Sequence, residues 1–473
     1  MVKEHTLFIA GQRRPGRKAV EIQNPYNGEA VGFVHLAGED EIEMAIEGAE
    51  DGFKEMKRLP VYRRVQALNQ IADGLEERAE EFAGMISGEA GKPITDARTE
   101  VSRGVLNFRT AAAEAGRLFG EVIPLDLAAG SDSRFGIVRR FPIGPILGIT
   151  PFNFPLNLVG HKLAPALAAG NSIVIKPAPQ APITALMLGE LIAGTDLPLG
   201  AVSVVPCDNA LAEKMVCDDR FKMLSFTGSA PVGWKLKALS GKKKVALELG
   251  GNAGVIIHDD TDLEYAARRC AVGGFSYSGQ TCISVQRIYV QEGALDAFLE
   301  RFLPLVKALK SGDPAQETTN IGPLIDEGAA ERTETWVNEA VEQGAKVLAG
   351  GKRDGRFFEP TVLTQVTGGM KVCTEEAFAP LVTVSSYRTF EEVLLSVNDS
   401  GYGLQAGVFT NDMKKVFKAY EALEVGGVMV NEVPTYRIDP MPYGGIKDSG
   451  LGREGARYAM EEMTELKLLA VNP

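Results

Sequence analysis

Cysteine, histidine and tryptophan are scarce in this chain, whose 473 residues include five, four and two of them respectively. No CxxC, HxxxH or comparable ligand spacing occurs, so a structural zinc site has no support and no metal is expected. An odd, sparse set of cysteines excludes a disulfide scaffold and points to a reducing compartment, the cytoplasm. Excess positive charge is also missing, since 50 basic against 62 acidic side chains leave a net charge of −12. Such a balance gives no attraction to phosphate backbones or anionic bilayers, so neither nucleic acid nor membrane is an expected partner. Met1 to Arg14 lacks the apolar core and small-residue cleavage site of a secretory leader. One uncharged stretch of twenty residues, Phe141 to Gly160, contains Pro142, Pro145, Pro151 and Pro155. A bilayer helix could not absorb four prolines, so buried strand and loop is the expected structure there.

What is present is an ordinary globular composition, 45% hydrophobic and 24% charged. At about 150 residues per domain, the length suggests two or three domains. No repeat or low-complexity linker is visible. The first 120 residues read mostly as helices: Ile42, Ala45, Ile46, Ala49 and Phe53 share one face, and the segments 63–78 and 101–119 behave similarly. Further on, short β-branched runs (172–175, 201–205, 222–226, 245–249 and 254–257) alternate with helical stretches at 183–193 and 231–239. A second set follows, with a strand at 283–290 and helices at 294–309 and 331–343. The alternation predicts an α/β chain of two units, each with a parallel sheet covered on both faces, joined near Gly250–Gly251.

Neither GxGxxG nor GxxxxGK[ST] occurs. A Gly-Ser turn does lie between a strand and a helix in Phe226-Thr-Gly-Ser-Ala-Pro-Val-Gly233, where free amides could hold a pyrophosphate. Glycine is common at any strand-to-helix turn, so the pattern alone is weak. Lys176 ends an apolar strand, at the edge where doubly wound sheets meet ligands, although a solvated lysine would look the same. Cys282 sits in a polar, Gly-containing connection, unlike Cys207, Cys217, Cys270 and Cys373, which read as small core hydrophobes. None of His5, His35, His161 and His258 carries a Cys–His hydrolase signature. Glu248, flanked by leucines at a strand end, is either salt-bridged or desolvated toward general-base range. Asn153 stands between two prolines as a turn residue or a rigid amide donor to an oxyanion.

Taken in order, PFNFP, the strand-end KPA, FTGSxxxG, LELGG, GQTC, EEAFAP and PYGGIKDSGLGREG make the chain resemble the aldehyde dehydrogenase superfamily from about Asn24 to Leu468. The resemblance implies that Cys282 is the nucleophile, Glu248 the general base and Asn153 the oxyanion donor. It implies a cofactor site with Lys176 on the adenosine ribose and Gly228, Ser229 and Gly233 at the pyrophosphate. Glu376 and Phe378 would meet the nicotinamide ribose, and Thr150, Pro151, Phe152, Leu249 and Gly250 complete the set. It further implies two Rossmann-like domains, one for the cofactor (1–123 and 143–250) and one for catalysis (251–455). A small β oligomerisation element (124–142 and 456–473) would make a homodimer or homotetramer.

Two departures from the family pattern bear on specificity. Pro179 replaces a glutamate that often holds the cofactor's ribose 2′-hydroxyl in NAD-preferring relatives, so acceptance of NADP as well as NAD is expected. Thr281 precedes the nucleophile where relatives acting on phosphorylated aldehydes usually have arginine, and Phe154 is likewise apolar. Arg109 and Arg437 correspond to positions that bind substrate anions in some relatives, or else form salt bridges. The closest resemblance is to lactaldehyde-like oxidisers of short aldehydes. A CoA-acylating relative would generally lack a base such as Glu248, and a silent family member would not be expected to keep Cys282, Glu248 and Asn153 together.

Overall fold

In a computed structural model that describes residues 3–473, the β-branched runs become two separate parallel sheets. The first takes Ile146–Ile149 as its centre, with Ile173–Lys176 and then Val202–Val204 on one side. Met223–Thr227 and then Lys244–Glu248 lie on the other side. Ile173–Lys176 and Met223–Thr227 are buried at every residue, as strands covered on both faces must be. The order of winding reverses between Ile146–Ile149 and Met223–Thr227. That reversal opens a crevice beyond their carboxyl ends, where open α/β sheets bind ligands.

The second sheet is built outward from Ala253–Ile257. Val285–Gln291, Leu381–Tyr387 and Thr361–Thr364 follow on one side, Gln405–Phe409 and Gly427–Val430 on the other, all parallel. Only Lys346–Ala349 at its edge runs antiparallel. The carboxyl end of Lys244–Glu248 leads within five residues to Ala253–Ile257, so the two sheets meet where Glu248 lies. A third, antiparallel sheet joins Glu121–Pro124, Phe135–Pro142 and Thr464–Val471.

Several expectations need correction. Residues 3–36 are not helical: Leu7–Ile9, Gln12–Arg14, Lys18–Gln23 and Ala30–Leu36 are strands. They are too short and too mixed in polarity to show a clean alternation, and Leu7–Ile9 is stabilised by pairing with Val202–Val204, almost 200 residues away. The boundaries also shift. Gly450–Leu451, expected in the catalytic unit, pairs with Lys244–Glu248 of the first sheet. The helix Ala456–Glu462, expected in the oligomerisation element, packs against the helix Asn157–Ala169. Uncharged 141–160 contains the end of Phe135–Pro142, the strand Ile146–Ile149, a loop and the start of Asn157–Ala169, a helix buried along its whole length. Among the described residues, no helix is long and apolar enough to cross a membrane.

Candidate active site

A cavity of about 520 Å³ opens at the crevice of the first sheet and runs between the two sheets. Cys282, Glu248 and Asn153 all line it, although three separate segments carry them. Glu248 arrives as the last residue of its strand, Asn153 in the loop after Ile146–Ile149, and Cys282 just ahead of Val285–Gln291.

The loop that carries Cys282 is held in a costly conformation. Tyr277, Ser278 and Gly279 have φ of +48°, +55° and +71°, and side chains with a Cβ rarely adopt this region. Three bonds fix the turn: Tyr277 N–H donates to Asp96 Oδ2 (2.9 Å), Tyr277 Oη to the Ala90 carbonyl (2.8 Å), and Ser278 Oγ to the Gly322 carbonyl (2.8 Å). Asn153 Nδ2 donates to the Gln280 carbonyl at 2.9 Å, tying the amide to the nucleophile loop. An amide nitrogen has two hydrogens, so one N–H remains for an oxyanion.

Burial sets the electrostatics. It pushes the Cys282 thiol up to about 12, so the resting sulfur is protonated and needs a base. Glu248 is 4% exposed, and its Oε2 has no partner. Burial first, then the neighbouring Glu454 carboxylate, push its pKa well above the ordinary carboxylate range. A desolvated carboxylate that lines the same cavity as the half-buried Cys282 thiol is suited to take a proton. Tyr443, absent from the expected set, places its Oη 3.0 Å from Cys282 Sγ.

The cofactor-side residues divide by depth. Pro151, Phe152, Gly228, Ser229, Leu249, Gly250, Glu376 and Phe378 line the cavity. Thr150 and Lys176 lie beside it at adjacent strand ends, with the Thr150 amide bonded to the Lys176 carbonyl at 3.1 Å. Pro179 is exposed, and Gly233 is buried inside the helix Ala230–Leu239. The crevice fits a dinucleotide. Gly228 and Ser229 open the ten-residue helix Ala230–Leu239, whose first amides face the switch point. A Cβ on Gly250 would lie 2.5 Å from Glu376 Oε2, so only glycine lets that carboxylate fold over the strand end. Burial raises Glu376 to about 7, and the Gly251 amide donates to its Oε1 at 3.0 Å. Phe378 has φ of +50° and meets the Phe152 ring edge-on. Buried Thr150 Oγ1 has no partner.

At the opposite end, Phe154, Thr281 and Arg437 line the cavity, but Arg109 does not. The substrate role considered for Arg109 is therefore corrected: it is exposed and pairs with Asp73 (3.3 Å) and Glu76 on the outer helix Val61–Glu77. The cavity instead receives Arg103 from the same helix, Ile94–Ala115. Six residues at about 100° each place the two side chains roughly 120° apart around the axis. Arg103 and His161 both bond Asp439 Oδ1, at 3.4 and 2.8 Å, and Arg437 Nη2 reaches His161 Nδ1 at 3.0 Å. Burial would raise Asp439, but the His161 imidazole and the two guanidiniums overcome it and hold the carboxyl down at about 2. The Nε of both Arg103 and Arg437 and the Asn157 amide are buried without partners. Arg103, His161 and Asn157 carried no sequence signal, because each is an ordinary residue until folding turns it toward the cavity, whereas Tyr443 lies within PYGGIKDSGLGREG but is given no role there.

The model of the aldehyde dehydrogenase family matches residues 12–469. The 3-sulfolactaldehyde dehydrogenase of Priestia aryabhattai is 44% identical, over 100% of this chain and 98% of that protein. A crystal structure of aldehyde dehydrogenase 21 from Physcomitrella patens, in complex with its reaction product succinate, is 45% identical with a TM-score of 0.98, over 100% of this chain and 98% of the other. Glyceraldehyde-3-phosphate dehydrogenase from Methanocaldococcus jannaschii, complexed with NADP, superposes with a TM-score of 0.92 at 40% identity, over 96% and 99% of the two chains. The chain belongs to the aldehyde dehydrogenase family and is an oxidoreductase of aldehydes that uses a nicotinamide cofactor.

Proposed function

We propose that this enzyme oxidises a short aldehyde with an anionic far end to the corresponding acid, through a thioester on Cys282. The observation that carries the reading is that the cavity lined by Cys282, Glu248 and Asn153 is also lined by Arg103 and Arg437, whose Nε groups are buried without partners. The positive charge of Arg437 adds to burial in depressing the pKa of Arg103. A substrate anion between the two guanidiniums relieves that repulsion and fills their free donors. The three relatives described above are named for, or hold, anionic small molecules, which fits. This narrows the lactaldehyde-like expectation to charged analogues of the same size.

In the reaction, Glu248 takes the Cys282 thiol proton, and sulfur attacks the aldehyde carbon. The C=O π pair moves to oxygen, where the free Asn153 N–H and the Cys282 backbone N–H receive it; such a donor is worth about 10² to 10³ in rate. The cofactor, when bound, supplies a hydride acceptor. Glu248 passes the thiol proton on to solvent and, ionised again, withdraws a proton from water, which attacks the thioester carbon; the C–S bond breaks, releasing the carboxylic acid and returning Cys282 as a thiolate.

NADP is accepted alongside NAD, because Pro179 leaves no carboxylate to repel a 2′-phosphate and Lys176 ends the neighbouring strand. The antiparallel sheet is the oligomerisation element of a homodimer or homotetramer, and the five unpaired cysteines suit the cytoplasm. Reduced-nicotinamide absorbance tests the reading, using 3-sulfolactaldehyde, succinate semialdehyde and neutral lactaldehyde with NAD or NADP, with and without CoA. Cys282→Ala must abolish turnover. Arg103→Met should raise KM for the anionic aldehydes by about tenfold or more and leave lactaldehyde unchanged; equal effects on both would overturn the anion site. A requirement for CoA would reject hydrolysis, and roughly a hundredfold preference for NAD would reject the cofactor reading.

A further inference from the structure

The nucleophile has a partner that the chemistry above leaves unused. Tyr443 Oη lies 3.0 Å from Cys282 Sγ, and among the described residues no other side chain bonds that sulfur. We propose that Tyr443 is a catalytic residue, whose hydroxyl donates a hydrogen bond to Cys282 Sγ, aims the sulfur and stabilises the thiolate before attack. The proposal rests on Cys282 being the nucleophile.

Its setting makes Tyr443 a fixed donor. The residue is 3% exposed. Its amide donates to the Glu454 carbonyl at 3.0 Å, and its carbonyl accepts from the Glu454 amide at 2.6 Å. The Arg437 guanidinium lies over the ring, 3.6 Å from the centroid. A cation on the ring face draws electron density from the phenol and strengthens its O–H as a donor. Burial, with the negative groups Cys282 and Glu248 nearby, pushes the phenol well above its ordinary pKa. It therefore stays protonated and can only donate once the sulfur is ionised.

The charges facing Sγ show why a donor is needed. The Glu376 and Glu248 carboxylates oppose a thiolate, as burial does, while Arg437 and the Tyr443 hydroxyl favour it. When the S–C bond forms, the negative charge leaves sulfur for the aldehyde oxygen, and the Tyr443 bond loses most of its strength. Tyr443 thus acts on the nucleophile, and Asn153 acts on the oxyanion. Because Arg437 both stacks on Tyr443 and faces the substrate's anionic end, recognition of the substrate lies one aromatic ring away from the sulfur.

Alkylation tests this without turnover. Iodoacetamide modification of Cys282 is followed by peptide mass spectrometry against pH, in the free enzyme and in Tyr443→Phe, which keeps the ring. The expected result is a midpoint shifted upward by about one pH unit, with about tenfold less thiolate at neutral pH, and the same shift in the kcat/KM profile. Cofactor Kd should not change. A fluorinated tyrosine at position 443, a stronger donor on an almost identical ring, should move the midpoint downward, and it serves where the phenylalanine variant folds poorly. An unmoved midpoint in either correctly folded protein overturns the proposal. Failure of the nucleophile reading would appear separately, as turnover persisting in Cys282→Ala.

Discussion

Glu248 and Asp439 show how opposite environments give carboxylates opposite roles within one cavity. Glu248 is buried with its Oε2 unpartnered, so its pKa is high and its ionised form is a stronger base than an ordinary carboxylate. Because the charged form is the active one, kcat should rise with pH along a limb centred well above the ordinary glutamate value. Glu248→Gln should lower kcat roughly 10²- to 10⁴-fold by slowing both thiol deprotonation and thioester hydrolysis, read as loss of the pre-steady-state burst together with the steady-state rate; a normal rate would refute its role as base. Asp439 is buried among cations and held at about 2, below the ordinary value of 3.8. Its depressed pKa means that it stabilises the fold above pH 3.8 and that this contribution is lost as pH falls toward 2. The shift corresponds to about 2 kcal/mol. Denaturant melts should show Asp439→Asn weaker than the parent by about that much at neutral pH, with the gap closing on acidification.

Among the elements, the helix Ile94–Ala115 does more than cover the first sheet. Its Glu100 Oε1 accepts the amides of Leu156 and Asn157 at 2.9 and 3.1 Å, which fixes the loop that carries Asn153. The other oxygen pairs with Lys92, whose ammonium lies 3.7 Å from the centre of the Phe154 ring and 4.4 Å from that of Tyr277. Both members of this ion pair are fully buried. Lys92→Met would strand the Glu100 charge and should cost about 3–5 kcal/mol, read as a lower midpoint in chemical denaturation. The junction of the two sheets is equally tight. A Cβ on Gly251 would meet the Cys282 carbonyl at 2.1 Å, so Gly251→Ala should displace the nucleophile and lower kcat more than it weakens cofactor binding. The helices with regular apolar spacing were legible in the sequence, as was the strand ending at Lys176. The short amino-terminal strands were not, because their stability comes from distant partners rather than from their own pattern.

On the scale of the whole molecule, the strand Thr464–Val471 pairs on one side with Phe135–Pro142 and lies at the edge of its sheet. Leu466, Leu468 and Leu469 on it are each more than half exposed, an apolar edge that a lone soluble chain does not usually display. Leu466→Glu with Leu468→Glu places two charges on one face of the strand and should lower the sedimentation mass toward that of a monomer. An unchanged mass would move the assembly surface elsewhere.

Residue types that do chemistry within short, rigid motifs could be read along the chain. The proposed catalytic residues Cys282, Glu248 and Asn153, the glycines of the proposed pyrophosphate turn and the alternation of strands with helices all depend on neighbours close in sequence. The proposed anion site could not be read in this way. Arg103 rather than Arg109 reaches the cavity because the face a helical side chain presents is set by packing against other helices. Tyr443 meets Cys282 across 161 residues of chain, and His161, Asp439 and Arg437 converge from two distant segments. Their shifted pKa values and free donors arise from burial and from charges that folding brings together, which exist only once the sheets have closed around the site.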